Sequence, residues 1–470
     1  MSGTATQSGG LRRGLGFVDL WSIGVGALIG GGIFTVIGPA VAQAGPALFV
    51  AFLIAGAVAI LSCFSYAELA SIWPYEGASY AYGKFAFSGI NKDLGRLVGL
   101  WCAGLYFLSF AFAAGAVNLG FAGYFSYLVP GLPPAVVAPA VSIVITGLLL
   151  SGISTTGKVN TVFSVIQVLA LLAIAVFTIT ANPTGPFQHA EFLPNGWTGV
   201  FAATALIAFG LMQIEAVLTV GEEARNPRRN LPLAQISALV TAVILYVLTG
   251  YGVVSAADPA ALGEAAAPLS VAMETVLPGA AAALIAVAAL TATATSTVGC
   301  LLGSSRMLFA ASREKAAPPI FARISTRTGA PTAAIVLTGI IALGTTLMAL
   351  GGYSSAIFIA VSAAVFANWL MMALMNIALI VVRVQRPELV GRFRSPWSIK
   401  NIPVLAPLAT IAALWIITYI ALVPLLIGIT WLVLLTIFYF AYSRKRWEYL
   451  SEEDMDHLAG EGRTVTDVAR

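Results

Sequence analysis

Charge is what this sequence has least of. Asp, Glu, Lys and Arg make up only 9% of its 470 residues, against about 25% in a soluble domain. A water-facing surface cannot be assembled from so few charges, which excludes a single soluble globule, a disordered chain and a nucleic-acid binder. Histidine is scarcer still, with His189 in one loop and His457 in the tail, both read as solvent-exposed. Cysteine occurs three times, at Cys63, Cys102 and Cys300, with no pair at ligand spacing, so a disulfide scaffold and a zinc module are excluded. Each thiol lies in an apolar stretch and reads as a small hydrophobe. No H-E-x-x-H or G-x-S-x-G motif is present, so neither a metal site nor a cofactor is expected and an intramembrane enzyme is a poor reading. Neither end carries a lipidation motif. The first apolar run, from Phe17, is too long for a signal-peptide core and has no small-residue cleavage site after it, so it is read as retained.

What is abundant is apolar sequence: 59% of residues are hydrophobic and the mean hydropathy is +0.92. A transmembrane helix needs about 20 mostly apolar residues. Twelve stretches qualify. They are Phe17–Val41, Ala47–Ile72, Leu97–Val129, Ala135–Leu150, Val159–Thr180, Thr198–Val220, Leu233–Ser255, Ala280–Phe309, Thr332–Leu350, Ser354–Val382, Pro403–Leu422 and Pro424–Tyr442. Cytoplasmic loops collect Lys and Arg. With both termini placed inside, all 24 basic residues, from Arg12 and Arg13 through Lys84, Arg229, Arg327 and Lys400 to Arg470, fall on the cytoplasmic side of this segmentation. A wrong span count would scramble that pattern. The expected fold is therefore an all-α membrane protein with 12 transmembrane helices. Residues 1–16 form a cytoplasmic segment, and residues 444–470 a cytoplasmic tail that is polar and charged from Ser451 onward.

Two kinds of anomaly inside the spans point to function. Charges there are costly and mark functional sites by default. Asp19 sits at the start of the first span and reads as interfacial, and Glu68 near the end of the second reads as an edge contact. Glu215 lies deep in the sixth. It is either a buried acid bonded to a neighbouring helix or a proton-exchanging group, since burial disfavours a carboxylate's charged form. The second anomaly is Gly26-Ala-Leu-Ile-Gly30-Gly31-Gly32-Ile-Phe34 in mid-span. Each glycine weakens a helix by about 1 kcal/mol relative to alanine, and three in a row favour a break. A break frees backbone N–H groups that suit an anion. Helix packing through Gly26-x-x-x-Gly30 is the alternative. The sixth span is also interrupted, at Gly210-Leu-Met-Gln213. A pair of broken spans five apart is the mark of an inverted-repeat transporter. Residues 17–180 and 196–382 would be the two repeats, with residues 403–443 appended.

At these positions the chain resembles the amino acid–polyamine–organocation (APC) superfamily of transporters, amino acid permease type. The resemblance rests on the first-span glycines, on Tyr66-Ala-Glu68-Leu with Pro74-Tyr-Glu-Gly77-Ala-Ser-Tyr80, on Gly221-Glu-Glu-Ala-Arg-Asn226-Pro227-Arg228, and on Ser305-Arg306-Met-Leu-Phe. It implies a LeuT-like core of 5+5 inverted repeats with the first and sixth helices broken. It implies a substrate carboxylate on the amides around Ile29, Gly30, Gly31 and Gly32, and a substrate amine on free carbonyls near Ile23, Gly24 and Gly26 and in the broken part of the sixth span. Phe209 falls on the family's aromatic gate and Glu215 on its acidic position. The chain departs from the family at Gln213, where glycine is usual, and at Gln167, where many members hold a coupling lysine. Lysine-based coupling is thereby in doubt, and Glu215 becomes the proton candidate unless the protein exchanges substrates without protons. Thr293, Thr295, Ser296 and Thr297 could offer hydroxyls to a sodium ion, although such hydroxyls more often bond their own helix. The implied function is a secondary transporter of a small amino acid or related amine across the cell membrane by alternating access. A polyamine carrier or a sodium symporter of the same fold are the alternatives. The implied partners are the substrate, membrane lipid and a coupling proton, in a monomer or homodimer. A channel is disfavoured because filters usually form from rings of subunits.

Overall fold

The computed structural model describes residues 15–74, 77–151, 157–182, 184–218, 224–325 and 330–447. His457 and the tail from residue 448 lie outside the described residues, as do Glu222, Glu223 and Arg327. The described chain is overwhelmingly helical. In order come α1 (Phe17–Ile29), α2 (Gly31–Ala44), α3 (Leu48–Ile72), α4 (Ala78–Ser88), α5 (Lys92–Leu128), α6 (Pro134–Leu150), α7 (Gly157–Ala181) and α8 (Gly196–Leu211). Then follow α9 (Pro227–Ala256), α10 (Pro259–Glu264), α11 (Pro268–Val276), α12 (Ala280–Arg313), α13 (Thr332–Leu347), α14 (Tyr353–Gln385), α15 (Leu405–Ile417) and α16 (Leu422–Phe438). The strands β1 (Ser398–Ile399) and β2 (Ile402–Pro403) form a short antiparallel hairpin. Helices dominate because lipid offers backbone groups no partner, so each spanning segment must bond internally.

Among the described residues, nine apolar helical runs are long enough to cross a bilayer, and α6 and α15 are shorter apolar helices. The first run, Phe17–Ile72, is 56 residues long. That exceeds one crossing by more than a factor of two at about 20 residues per span. This is a multi-pass membrane protein. Its helix starts follow local chemistry. Asn91 caps α5 by accepting the Asp93 amide at 2.8 Å, and Asp258 caps α10 through the Ala260 amide. Pro134, Pro227, Pro259 and Pro268 open their helices, where the missing N–H is no loss. Asn226, just before α9, takes the left-handed conformation.

Helices α5 and α14 run through the interior, with Trp369 and Tyr124 fully buried. Exposed leucines, isoleucines and valines concentrate on α6, α7, α15 and α16, for example Ile143, Leu169, Ile411 and Val433. These are the faces that lipid would cover.

Three elements were not expected. Helix α4 lies in what reads as a loop, entered through Gly77 at φ +95°. Helices α10 and α11 lie between two spans and are too short to show as apolar runs. Two basic residues read as loop charges are in fact buried. Lys84 of α4 pairs with Glu314 at 2.9 Å, and Arg383 near the end of α14 pairs with Glu68 of α3 at 2.5 Å. Glu68 also accepts the Ser395 amide of the segment after α14, a loop contact as expected, but one that is buried and ion-paired. The pairs are formed because neither charge could be buried alone at tolerable cost. His189 is half-buried, its Nε2 lying 2.7 Å from the Val254 carbonyl oxygen, which corrects its reading as solvent-exposed.

Candidate substrate site

The first span is broken at Gly30, whose φ −47°, ψ −153° separate α1 from α2. The break frees the last carbonyls of α1 and the first amides of α2. Ile23 and Gly24 lie inside continuous α1, so their carbonyls stay within the helical ladder. The freed carbonyls belong to the last turn, beginning at Gly26. Of the three carbonyls that the resemblance names, the one on Gly26 is in the freed turn.

The sixth span breaks as well. Helix α8 ends at Leu211, and Met212–Glu215 forms a tight 3₁₀ turn with Gln213 outside helical geometry at ψ 22°. Phe209 and Gly210 are buried in the last turn of α8. The two breaks lie against each other. A Cβ on Gly32 would stand 2.6 Å from the Gly210 Cα and 3.4 Å from the Phe209 carbonyl oxygen. Only glycine permits that approach. The remaining glycines are packed too: a Cβ on Gly26 would strike Ser164 of α7, one on Gly30 the Ser296 hydroxyl, and one on Gly31 Val117 of α5.

Side chains from two other helices take up the freed backbone groups. The Tyr246 hydroxyl of α9 lies 2.5 Å from the Leu28 carbonyl oxygen and 3.2 Å from that of Gly210, so one phenol ties both breaks together. The Gly31 amide donates to the Ser296 hydroxyl of α12 at 2.6 Å. Gln235 of α9 donates to the Ile214 carbonyl at 3.0 Å. Sequence reasoning missed Tyr246 and Gln235, whose signal was a polar group within an apolar span. It named Ser296 only as a cation hydroxyl. Thr293, Thr295 and Thr297 do bond back to their own helix.

Helices α10 and α11 lie over the far end of α2, with Pro268 3.6 Å from a Cβ placed on Gly38. Gly299 is exposed although it lies mid-helix, Gln213 faces it half-buried, and the Gln213 Oε1 is 3.9 Å from where a Gly299 Cβ would stand.

Glu215 closes the 3₁₀ turn of the sixth span and points to α4. Its carboxylate accepts the Ser79 hydroxyl at 2.5 Å and lies 3.4 Å from the Ser79 amide, at the N-terminus of α4. Gln167 of α7 lies 3.3 Å from the Thr295 hydroxyl. Among the described residues there is no group of three or more His, Cys, Asp or Glu side chains able to hold a metal ion.

Paired breaks that meet through packed glycines are a carrier's features, and sequence comparison agrees. The amino acid permease family model matches residues 15–442. The chain belongs to that family. This permease is 30% identical to the branched-chain amino acid permease of Bacillus subtilis over 460 residues, which cover 93% of this chain and 94% of that one. It is 29% identical to the methylthioribose transporter of Bacillus subtilis, over 94% of this chain and 95% of that one. It is 32% identical to the vacuolar cationic amino acid transporter 4 of Arabidopsis thaliana, over 71% of this chain and 58% of that one. The permease is a transporter and not an enzyme.

The phenol bridge makes a direct prediction. Changing Tyr246 to Phe keeps the ring and leaves two buried carbonyls short of a donor, which costs about 1–3 kcal/mol. Initial uptake rates in proteoliposomes should fall several-fold while the variant stays monodisperse in detergent. Rates equal to wild type would show that the bridge does not matter.

Proposed function

We propose that this permease carries a small amino acid or a closely related amine across the plasma membrane by alternating access. Both termini would be cytoplasmic, and the apolar helices would make twelve spans arranged as 5+5 inverted repeats with α15 and α16 appended. The observation that carries the reading is the meeting of two broken helices at Gly32 and Gly210, with their freed amides and carbonyls held by hydroxyls. A substrate carboxylate is the natural competitor of the Ser296 oxygen for the Gly31 amide, because an anion suits a helix N-terminus. A substrate ammonium is the natural donor to the carbonyls of the last turn of α1. Gln213, half-buried in the turn of the sixth span, would read the substrate side chain.

Transport would be proton-coupled or an exchange, with Glu215 as the protonatable group. In its charged form it grips Ser79 and so ties the end of the sixth span to α4. Protonation would weaken that grip and let the span move. Gln167, in place of a lysine, leaves α7 without a charge for this purpose. Glu215→Gln should lower accumulation driven by a pH gradient while leaving substrate exchange largely intact. Unchanged pH-driven accumulation removes Glu215 from the mechanism.

The general test is uptake into proteoliposomes of a labelled panel holding neutral and cationic amino acids, polyamines and a thiosugar, under separate pH and sodium gradients. Saturable uptake of an amino acid with counterflow supports the reading. A response only to polyamines, or only to a substrate without a carboxylate, overturns the role given to the Gly31 amide.

A further inference from the structure

Away from the broken helices, a groove of about 520 Å³ runs between α5, α12, α13 and α16. Its walls are apolar, with Phe107, Leu308, Phe321, Leu337, Leu434 and Ala441 among them. The indole N–H of Trp431, also in the wall, is engaged by the Gly104 carbonyl at 2.9 Å. An amino acid would find nothing here to hold its charged groups. The groove runs along α16 and the turn after it from Trp431 to Ala441, roughly 15 Å at 1.5 Å per residue. That is about half of a 30 Å hydrocarbon core, the depth of one leaflet. Ile437 of α16 and Phe440 of the turn after it are exposed, so a membrane lipid has access.

The end of the groove at Ala317 and Ala441 is basic. The Ser443 hydroxyl donates to the Ala316 carbonyl at 2.9 Å, which sets Arg444–Arg446 beside Lys315 and Ala317. Lys445 and Arg446 are exposed. Among the described residues, the acids nearby are already engaged: Glu314 with Lys84 and the Trp447 indole, and Asp93 with Arg444. An apolar slot one leaflet deep, ending at a row of cations, matches one kind of molecule. We propose that this groove binds a phospholipid with an anionic headgroup, its acyl chain along α16 and its phosphate at Lys445 and Arg446. The bound lipid braces α16 against α5 and α12.

The test uses the full chain in proteoliposomes containing either photoactivatable phosphatidylglycerol or photoactivatable phosphatidylcholine, with the adducts mapped by mass spectrometry. Phosphatidylglycerol should label residues 434–441 roughly tenfold more than phosphatidylcholine, given the attraction of each basic residue for anionic lipid. Ala441→Trp fills the mouth and should abolish the labelling. Lys445→Gln with Arg446→Gln should keep the labelling but erase the preference for phosphatidylglycerol. Excess glycerol phosphate should not compete, because it lacks a chain. Equal labelling of wild type by both lipids, unchanged labelling in Ala441→Trp, full competition by glycerol phosphate, or a cross-link from α16 to a second copy in place of lipid would each overturn the proposal.

Discussion

Uptake by Gly32→Ala should fall at least about tenfold in a protein that still folds. The added Cβ would stand 2.6 Å from the Gly210 Cα, where ordinary apolar contact begins near 4 Å. Both partners are backbone, so no rotamer change relieves the clash, and α2 and α8 must separate by roughly 1 Å. Overpacking of this kind costs about 1–3 kcal/mol. The cost falls on the conformation in which the two breaks touch. A bias of that size between two states shifts their ratio by about 5–150-fold, so the carrier would stall on one side of its cycle. Gly38→Ala is the control. Its Cβ would meet Pro268 at 3.6 Å, an ordinary contact, and uptake should remain near wild type. Uptake by Gly32→Ala within twofold of wild type would mean that the glycine contact does not belong to the transport cycle.

The largest expected loss of stability is at Arg383. Its guanidinium meets Glu68 through two bonds, of 2.8 and 2.5 Å, and reaches the Ser395 carbonyl at 3.2 Å. The Ser395 amide in turn donates to Glu68 at 2.7 Å. This cluster joins α3, α14 and the segment leading into β1. Arg383→Ala leaves the Glu68 carboxylate buried without a countercharge, which typically costs 3–5 kcal/mol. Thermal unfolding in detergent should show a clear drop in Tm. Replacing both residues, Glu68→Met with Arg383→Met, should recover most of the loss, because well-packed apolar residues substitute for a buried pair at little cost. If the double variant is no more stable than Arg383→Ala, the cluster's hydrogen bonds to Ser395 matter more than its charges do.

Much of this was legible in the sequence. The apolar runs showed because a spanning segment has to be long and uninterrupted by charge. The break at Gly30 showed because three adjacent glycines are an expensive way to build a helix. Which groups would answer the break did not show. Tyr246 lies 218 residues from Leu28, and Ser296 lies 265 from Gly31. Nothing in local pattern joins such pairs. Lys84 and Arg383 looked like interfacial charges because each stands at the edge of an apolar run, and only their partners, Glu314 and Glu68, explain their burial. Glu215 was readable as a functional acid, but its contact with Ser79 depended on α4, which the sequence did not reveal.

By itself, the sequence determined that this chain crosses a membrane many times and which two spans lose their helical ladder. Those are properties of single segments, fixed by hydrophobicity and backbone propensity. The tertiary structure decided that the two breaks touch through Gly32 and Gly210, that one tyrosine serves both, and that the acid of the sixth span grips a loop helix. Those are meetings between distant segments, and they form only when several helices pack at once and each freed polar group finds a donor or acceptor that lipid cannot supply.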